Sequence, residues 1–177
     1  MYRRMTTVLG LAMLVLTAGD GAAWAASKKA KNMVANSGLD KVFVLTVGKT
    51  GKCLAKASGA KMGQQFHAWK CREKSSNQPF KIKWVEGDWF MIHSQRGGQC
   101  LDVSGSSKKE GKPVVQWSCK GAKNQQWQLI GGGKSFQLKV RHSGMCLTLD
   151  NPGERISRFV QRKCDAKNPG QRIMVKR

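Results

Sequence analysis

The sequence contains few acidic residues and few histidines. Aspartate and glutamate number 10 against 32 lysines and arginines, and there are 3 histidines. His67, His93 and His142 are scattered without metal-ligand spacing, and no Gly-x-Ser-x-Gly elbow, phosphate-binding loop or dinucleotide motif occurs. Glu86 and Asp88 share one turn, so they do not predict the separated carboxylate pair of a glycosidase. We therefore expect no enzymatic activity, no cofactor and no metal site.

Long apolar runs are also missing. The run from Val8 to Ala18 is well short of the roughly 20 residues that span a bilayer, and no later segment approaches that length. Arg3 and Arg4 precede this run, and Ala23-Trp24-Ala25 follows it as a small-x-small cleavage pattern. Residues 1–25 are therefore predicted to be a signal peptide cleaved near Ala25. The mature chain is expected to be secreted, either periplasmic or extracellular.

The remaining chain is strongly basic. Loss of the leader removes two arginines and one aspartate, which leaves 30 basic and 9 acidic residues and a formal net charge of +21. Such an excess favours anionic partners whatever the fold, and acidic polysaccharide, lipopolysaccharide and nucleic acid all qualify. The alternative is that the charge only keeps an exported protein soluble. Sequence-specific nucleic-acid binding is not expected, because no reading helix or base-stacking motif is present.

One short pattern occurs three times along the chain. Each copy contains Gly-x-Cys-Leu, then a second cysteine, then Gln-x-apolar. The copies run from Gly51 to Phe80, from Gly98 to Trp127 and from Gly144 to Ile173. Their first cysteines lie 47 and 46 residues apart, and their last apolar residues have the same spacing. Such a period indicates one supersecondary unit built three times.

Short apolar runs separated by turn residues predict twelve strands after Asp40, four to each repeat. The predicted strands are Val42–Val47, Cys53–Ala57, Phe66–Cys71, Phe80–Trp84, Trp89–His93, Cys100–Val103, Val114–Cys119, Trp127–Ile130, Phe136–Val140, Cys146–Leu149, Phe159–Cys164 and Ile173–Val175. Four strands could also form a propeller blade, but propellers usually need four or more blades to close. Three copies favour an all-β, three-lobed fold. Residues 26–40 are small, polar and basic, and they predict a flexible arm.

The Gln-x-Trp motif from Gln125 to Trp127 and the run from Cys100 to Val103 resemble the ricin B-type lectin family. Members of that family are carbohydrate-binding β-trefoils, and the likeness covers residues 41–177. Phe80 and Ile173 replace the signature tryptophan in the outer copies. The resemblance implies a β-trefoil of three four-stranded repeats with pseudo-threefold symmetry, at about 41–85, 86–131 and 132–177. It also implies that the partners are glycans.

Six cysteines in an exported, oxidising setting predict disulfides. They allow about 15 pairings in principle. Each repeat owns two of them, separated by 18, 19 and 18 positions, so the repeat favours Cys53–Cys71, Cys100–Cys119 and Cys146–Cys164. Zinc binding is the competing interpretation, and the sequence has no Cys-x-x-Cys pair to support it.

The resemblance also implies a sugar site in the middle copy. Ricin-type lectins hold galactose-like sugars with an aspartate, an aromatic residue and an Asn-Gln pair, and the matching positions are Asp102, Trp117, Asn124 and Gln125. A carboxylate accepts hydroxyl hydrogens, an indole packs against the apolar face of a sugar, and amides donate and accept. Each residue also has a structural interpretation. Asp102 could cap a turn, Trp117 could be buried in the sheet, and Gln125 recurs in every copy.

The outer copies lack parts of this set. The first has Ala55 in place of the aspartate but keeps three residues of a weaker site, namely Trp69, Asn77 and Gln78. The third has no aromatic platform, and its positions hold Thr148, Arg162, Gly170 and Gln171. Asp150 lies two residues beyond the aspartate position and would substitute only if the strand were shifted. One complete site is therefore expected.

Three functions agree with these observations. The leading hypothesis is a secreted carbohydrate-binding module with one galactose-type site in the middle repeat. The alternative from a different class is a basic envelope or adhesion protein that binds anionic polymers electrostatically. A third is the targeting subunit of a multi-chain toxin, a role that ricin-type trefoils have in some assemblies.

Overall fold

The structure is a computed structural model that describes residues 28–36, 39, 41–59, 61–132 and 134–176. The predicted signal peptide, residues 1–25, lies outside these ranges. The strands are β1 (Leu45–Val47), β2 (Lys52–Ala55), β3 (His67–Lys70), β4 (Phe80–Glu86), β5 (Trp89–Ser94), β6 (Cys100–Val103), β7 (Val114–Trp117), β8 (Trp127–Gly132), β9 (Ser135–Val140), β10 (Cys146–Asp150), β11 (Ser157–Arg162) and β12 (Ile173–Val175). Three 3-10 turns cover Ser104–Ser106, Lys123–Gln125 and Pro169–Gln171. The twelve predicted strands are confirmed, with ends that shift by at most about three residues.

Six of the strands form a closed barrel. β4 pairs with β5, β5 with β8, β8 with β9, β9 with β12 and β12 with β1, all antiparallel. An antiparallel bridge between Phe43 and Phe80 completes the circle, because Phe43 lies just before β1 and Phe80 begins β4. Closure satisfies backbone groups that an open sheet would leave at its edges.

The other six strands form three hairpins, β2–β3, β6–β7 and β10–β11. In each hairpin, the first cysteine lies opposite the residue that is two positions before the second cysteine. The three hairpins therefore have the same register. The opposed pairs are Cys53 with Trp69, Cys100 with Trp117, and Cys146 with Arg162. Neighbouring hairpins are joined by short antiparallel bridges, of which Gln65–Val115 and Pro113–Val160 are two. This equivalence of the three units confirms the predicted β-trefoil with pseudo-threefold symmetry.

The repeated apolar positions form the core. Phe80, Trp127 and Ile173, which end the three copies of the pattern, are all buried. The Trp127 indole also donates a hydrogen bond of 3.1 Å to the carbonyl of Leu101, so its polar nitrogen has a partner. Trp127 is therefore a packing residue, and it is not available to a ligand.

The three predicted disulfides are present. They join Cys53 to Cys71, Cys100 to Cys119 and Cys146 to Cys164. Each one ties the start of a hairpin to the segment that follows its second strand. On the chain-entropy estimate, each closed loop stabilises the fold by about 3 kcal/mol.

The predicted flexible arm is wrong for residues 28–36 and 39. Residues 28–36 form a short helix, and Val34 and Leu39 belong to the buried core. The backbone nitrogen of Leu39 donates a hydrogen bond of 3.1 Å to the carbonyl of Val34. Burial of two apolar side chains contributes about 3 kcal/mol, which helps to offset the entropy of ordering the segment. No helix in the described ranges is long and apolar enough to cross a membrane.

Candidate functional site

The four site residues predicted in the middle repeat line one cavity of about 370 Å³. Asp102 comes from β6, Trp117 from the end of β7, and Asn124 and Gln125 from the 3-10 turn before β8. We call this space the middle-repeat cavity. Its other lining residues include Gly63, Ser104, Gly105, Ser106 and Lys120.

Asp102 forms the base of the middle-repeat cavity and is only 6% exposed. The Asn124 amide donates to its Oδ1 at 2.9 Å, and the Gln125 amide donates to its Oδ2 at 2.8 Å. Each carboxylate oxygen can accept more than one hydrogen bond. The two amides therefore fix the orientation of the carboxylate and leave it able to accept hydroxyl groups from a ligand.

The amides are themselves held by the backbone. The side-chain oxygen of Gln125 accepts hydrogen bonds from the backbone nitrogens of Lys120 and Gly121 at 2.8 and 3.1 Å. Its side-chain nitrogen also donates to the backbone carbonyl of Ser118 at 2.7 Å. Asn124 donates to the carbonyl of Val103 at 3.0 Å. Gln125 therefore has the structural role that the sequence left open, and it orients the carboxylate of Asp102.

Burial raises the pKa of Asp102. The hydrogen bonds from Gln125 and Asn124 and the positive charge that His142 can carry act in the opposite direction, but burial is the larger effect. His142 was not among the predicted site residues. Its Nε2 donates to the carbonyl of Ser107 at 2.9 Å, in the loop that borders the cavity.

Trp117 forms one wall of the middle-repeat cavity and is 41% exposed. Trp117 lies on the same face of the β6–β7 hairpin as Val115, which is two residues before it. Val115 lies directly opposite Asp102 on the neighbouring strand. The indole and the carboxylate are therefore on one side of the sheet. The alternative interpretation, with Trp117 buried in the sheet, is excluded.

Trp117 also contacts a loop from the first repeat. Gly63 lies against the indole so closely that a Cβ at this position would be 3.7 Å from Trp117 Cζ3, and its φ of +81° is one that glycine adopts readily. Met62, next to it, is partly exposed, and its sulfur lies 3.9 Å from the hydroxyl of Ser118. The middle-repeat cavity is thus completed by a neighbouring repeat.

Gln116 holds this loop in place, and sequence reasoning did not find it. Its buried amide donates to the carbonyl of Lys61 at 2.6 Å and to the side chain of Gln64 at 3.1 Å. The backbones of Gly63 and Gln116 are joined by a further bond of 3.0 Å. A signal was available, because Gln161 occupies the same place in the third repeat and donates to carbonyls of the loop after β6.

The first repeat forms a second cavity, of about 230 Å³, lined by the three predicted residues Trp69, Asn77 and Gln78. We call it the first-repeat cavity. Gln78 keeps the structural bonds of its counterpart, since it accepts from the nitrogen of Arg72 at 3.0 Å and donates to the carbonyl of Lys70 at 2.9 Å. Ala55 offers no acceptor where Asp102 stands in the middle repeat.

In the third repeat, the polar side chains at and near the expected sugar-site positions bind one another. Arg162 donates to Asp150 Oδ1 at 2.8 Å, so this carboxylate does not substitute for the missing aspartate. Thr148, at the aspartate position itself, accepts from the amide of Gln171 at 3.0 Å and is buried.

Comparison with known proteins agrees with this geometry. The ricin-type beta-trefoil lectin domain family matches residues 41–172, which is most of the chain. Among curated proteins, the probable lipoprotein EnvE of Salmonella typhimurium is 42% identical over 70 residues, a segment that covers 38% of this chain and 38% of that protein. The chain therefore matches less than half of the length of this relative.

Solved structures have the same fold. ThreeFoil, a designed threefold-symmetric protein, superposes with a TM-score of 0.72 at 23% identity over 77% of this chain and 98% of ThreeFoil. A lectin from Polyporus squamosus superposes with a TM-score of 0.65 at 17% identity over 78% of this chain and 49% of the lectin. These likenesses show the fold, and the family match shows that the chain is a carbohydrate-binding module that belongs to the ricin-type β-trefoil lectin domain family.

Proposed function

We propose that the protein is an exported lectin-like module that binds a galactose-type sugar in the middle-repeat cavity. One observation carries this proposal. The carboxylate of Asp102 is held by two amides at the base of a cavity whose wall is the half-exposed indole of Trp117. This arrangement matches a ring that has adjacent hydroxyls on one side and an apolar C–H face on the other.

Each wall of the cavity has a distinct task in this proposal. Asp102 accepts two sugar hydroxyls, and Asn124 supplies an amide oxygen beside it. The Lys120 side chain lines the same cavity and can donate to a ring substituent. Trp117 packs against the C–H face, and Met62 extends the apolar surface toward a second sugar of a longer glycan.

We also propose that the middle-repeat cavity binds sugar without cleaving it. Asp102 is the one carboxylate among the described residues that line the cavity. Glycosidases generally need two carboxyl groups across the scissile bond, one as acid and one as base or nucleophile. We expect a single site of this kind to bind weakly, with a dissociation constant on the order of 1 mM or about −4 kcal/mol, and multivalent presentation would strengthen the binding.

Export is supported by the disulfides, because cysteine pairs persist in oxidising compartments. The partial likeness to a probable lipoprotein favours the cell envelope as the destination. Cleavage near Ala25 remains a prediction.

Charge favours a second candidate function, binding of anionic polymers such as acidic polysaccharide or lipopolysaccharide. The chain has 32 basic and 10 acidic residues. Among the described residues, the structure contains two salt bridges, Arg141 with Glu86 and Arg162 with Asp150, so most of the cations are not neutralised by carboxylates. The role of a toxin targeting subunit remains a prediction that no feature of the site favours.

A glycan array followed by two variants tests the leading proposal. We expect a neutral galactose-type ligand to bind at about 0.5 M salt, because charge-driven binding is lost under such screening while stacking is retained. Trp117→Ala and Asp102→Ala should abolish this binding, while Trp89→Ala, which changes an indole stacked on Arg141 in the barrel, should not. Asp102→Ala should fold, since Ala55 occupies the same place in the first repeat. Normal glycan binding by both site variants would show that the site is wrongly assigned.

A further inference from the structure

We infer that the first-repeat cavity is a second sugar site with a different specificity, for a sugar ring that carries an anionic group. The inference rests on the proposed function in one respect, since it takes the middle-repeat cavity as the template for a sugar site. It assigns a ligand class to the weaker site that the sequence predicted only as a reduced copy.

The two cavities are built from equivalent positions. Trp69 lies opposite Cys53 in its hairpin, as Trp117 lies opposite Cys100. Asn77 and Gln78 line the first-repeat cavity, as Asn124 and Gln125 line the middle one. The stacking platform and the amide pair are therefore retained.

The lining of the first-repeat cavity is more basic than that of the middle one. Ala55 replaces the carboxylate, His67 occupies the position of Val115, and Arg72 occupies that of Lys120. Lys56 also lines the first-repeat cavity, and no acidic side chain is among its described lining residues. A site that has lost its carboxylate cannot anchor hydroxyls in the same way, but it attracts an anion.

Lys56 provides the strongest indication of an anionic ligand. It is 2% exposed, its ammonium donates to the carbonyl of Gly59 at 2.6 Å, and it has no salt bridge in the described part of the chain. Burial lowers the pKa of Lys56, and the positive charge of Arg96 lowers it further. A buried cation is normally paired with an anion, and a ligand in the cavity would supply that anion.

Asn77 indicates that the ligand also carries hydroxyls. Its Oδ1 is buried and has no hydrogen-bond partner among the described residues. In the middle repeat, the equivalent Asn124 is oriented by Asp102, which has no counterpart beside Asn77. A buried acceptor without a partner needs a donor, and a sugar hydroxyl beside Trp69 would provide one.

Trp69 also borders a second basic cavity. A neighbouring cavity of about 320 Å³ is lined by Trp69, His67, Ile156 and Arg158. Burial lowers the pKa of His67, and the charge of Arg158 adds to this effect, so His67 is expected to be neutral near pH 7. The indole thus borders two cavities that each contain a cation in their lining, Arg72 in one and Arg158 in the other.

The test uses galacturonic acid and compares it with its uncharged methyl ester, with galactose 6-sulfate and with acetate. Binding is followed through the indole N–H signals in heteronuclear NMR, with the Trp69 signal assigned from its loss in Trp69→Ala. We expect both anionic sugars to shift the Trp69 signal and galacturonic acid to bind about tenfold more tightly than the ester, as one charge-assisted hydrogen bond would give. Acetate alone should not shift the signal. A response to galacturonic acid but not to the sulfate would identify a carboxylate site and still support the inference.

Two variants separate a built site from general charge. Arg72→Gln should weaken galacturonic acid binding about tenfold. Lys70→Gln removes one exposed cation from the same hairpin, outside the cavity lining, and should leave binding within about twofold because a surface charge contributes little. Ala55→Asp should abolish the preference for the acid over the ester, since it restores a carboxylate to the cavity.

Three results would overturn the inference: no preference for the acid over its ester, equal loss in Arg72→Gln and Lys70→Gln, or a shift of the Trp117 signal in place of Trp69. The Asp102→Ala variant keeps this failure separate from failure of the proposed function. That variant should lose neutral sugar and retain galacturonic acid.

Discussion

At the scale of single residues, the sugar site proposed in the middle-repeat cavity depends on the ionisation of Asp102. Its carboxylate accepts from two amides and is nearly covered, and burial holds its pKa above the ordinary range of an aspartate. An ionised carboxylate accepts hydrogen bonds on both oxygens, whereas a protonated one donates from one of them. The site therefore depends on a group that is easier to protonate than a surface aspartate.

We predict that neutral-sugar binding falls as the pH is lowered through this raised pKa, and so at a higher pH than an exposed aspartate would require. The stability of the fold should not fall for the same reason. The pKa of Asp102 is higher in the folded than in the unfolded chain, so the folded chain takes up this proton more readily. The contribution of Asp102 to the free energy of unfolding therefore increases as the pH falls through the folded-state pKa. Calorimetric titration with galactose between about pH 7 and 4, with circular dichroism in parallel, measures both quantities.

Loss of binding in a chain that is still folded is the expected outcome. If the affinity stayed constant down to the pH at which the chain unfolds, Asp102 would not be the group that anchors the sugar.

At the scale of structural elements, the middle-repeat cavity depends on a contact between two repeats. Its base and one wall belong to the β6–β7 hairpin, while Gly63 belongs to the loop before β3. Gln116 joins the two through its side chain and its backbone. The side chain of Gln116 is buried, whereas that of Trp117 is half exposed, because neighbouring residues in a strand face opposite sides.

Gln116→Ala should therefore weaken sugar binding although Gln116 does not line the cavity. The change removes hydrogen bonds that hold the loop, so we expect the free energy of unfolding to fall by about 1–3 kcal/mol and the dissociation constant for galactose to rise severalfold. Urea unfolding and calorimetric titration provide the two measurements.

Gln128→Ala is the matched control, because Gln128 lies in the barrel strand β8 and donates one hydrogen bond of 3.2 Å to Asp88. It should lower stability slightly and leave sugar affinity unchanged. Equal affinities of Gln116→Ala and the unaltered protein would show that the loop contributes nothing to the site.

At the scale of the whole molecule, the threefold plan presents three equivalent positions with different chemistry. The middle position has an aspartate and an indole, the first has an indole among cations, and the third has an Arg162–Asp150 ion pair. The shared framework is the buried glutamine of each repeat, Gln78, Gln125 or Gln171, which holds the segment after the hairpin. Because this framework does not depend on the ligand-facing residues, those residues can change without loss of the fold.

The same independence predicts that a neutral-sugar site can be built in the third repeat. Thr148→Asp combined with Arg162→Trp supplies the carboxylate and the platform, and the amide of Gln171, 3.0 Å from the present hydroxyl of Thr148, is placed to orient the new carboxylate. The protein would then have two neutral-sugar sites. Binding to a galactose-coated surface should strengthen by about a hundredfold through avidity, while the affinity of the middle site for free galactose stays the same.

Surface plasmon resonance at two ligand densities, compared with calorimetry in solution, measures this difference. The single change Arg162→Trp is the control, since it lacks the carboxylate and should add no avidity. An unchanged surface affinity for the double variant would show that the third repeat cannot form the site.

Most of the fold and much of the middle-repeat site could be predicted from the sequence. The period of 47 and 46 residues gives every strand, cysteine and signature residue a counterpart, so the pairing of Cys100 with Cys119 follows from the repeat. The grouping of Asp102 with Trp117 follows because both lie in one hairpin, within a few residues of its cysteines. The cysteine pairing and this grouping both depend on residues that are close in the chain, and such local patterns can be recognised in a single sequence.

The tertiary structure alone decided the rest, because the remaining contacts join residues that are distant in the chain. Gln116 reaches Lys61 across 55 positions, and the core includes Val34 from the helix at 28–36 together with Leu39. Lys56 is read in the sequence as an ordinary basic residue, yet closure of the fold buries it beside Trp69 without a carboxylate partner. The sequence by itself determined a triplicated, disulfide-tied sheet in which one repeat has the full set of side chains proposed to bind a sugar. The packing of distant segments determines which residues are buried, which charges are paired and which repeats contact each other. These properties therefore arise only when the barrel closes.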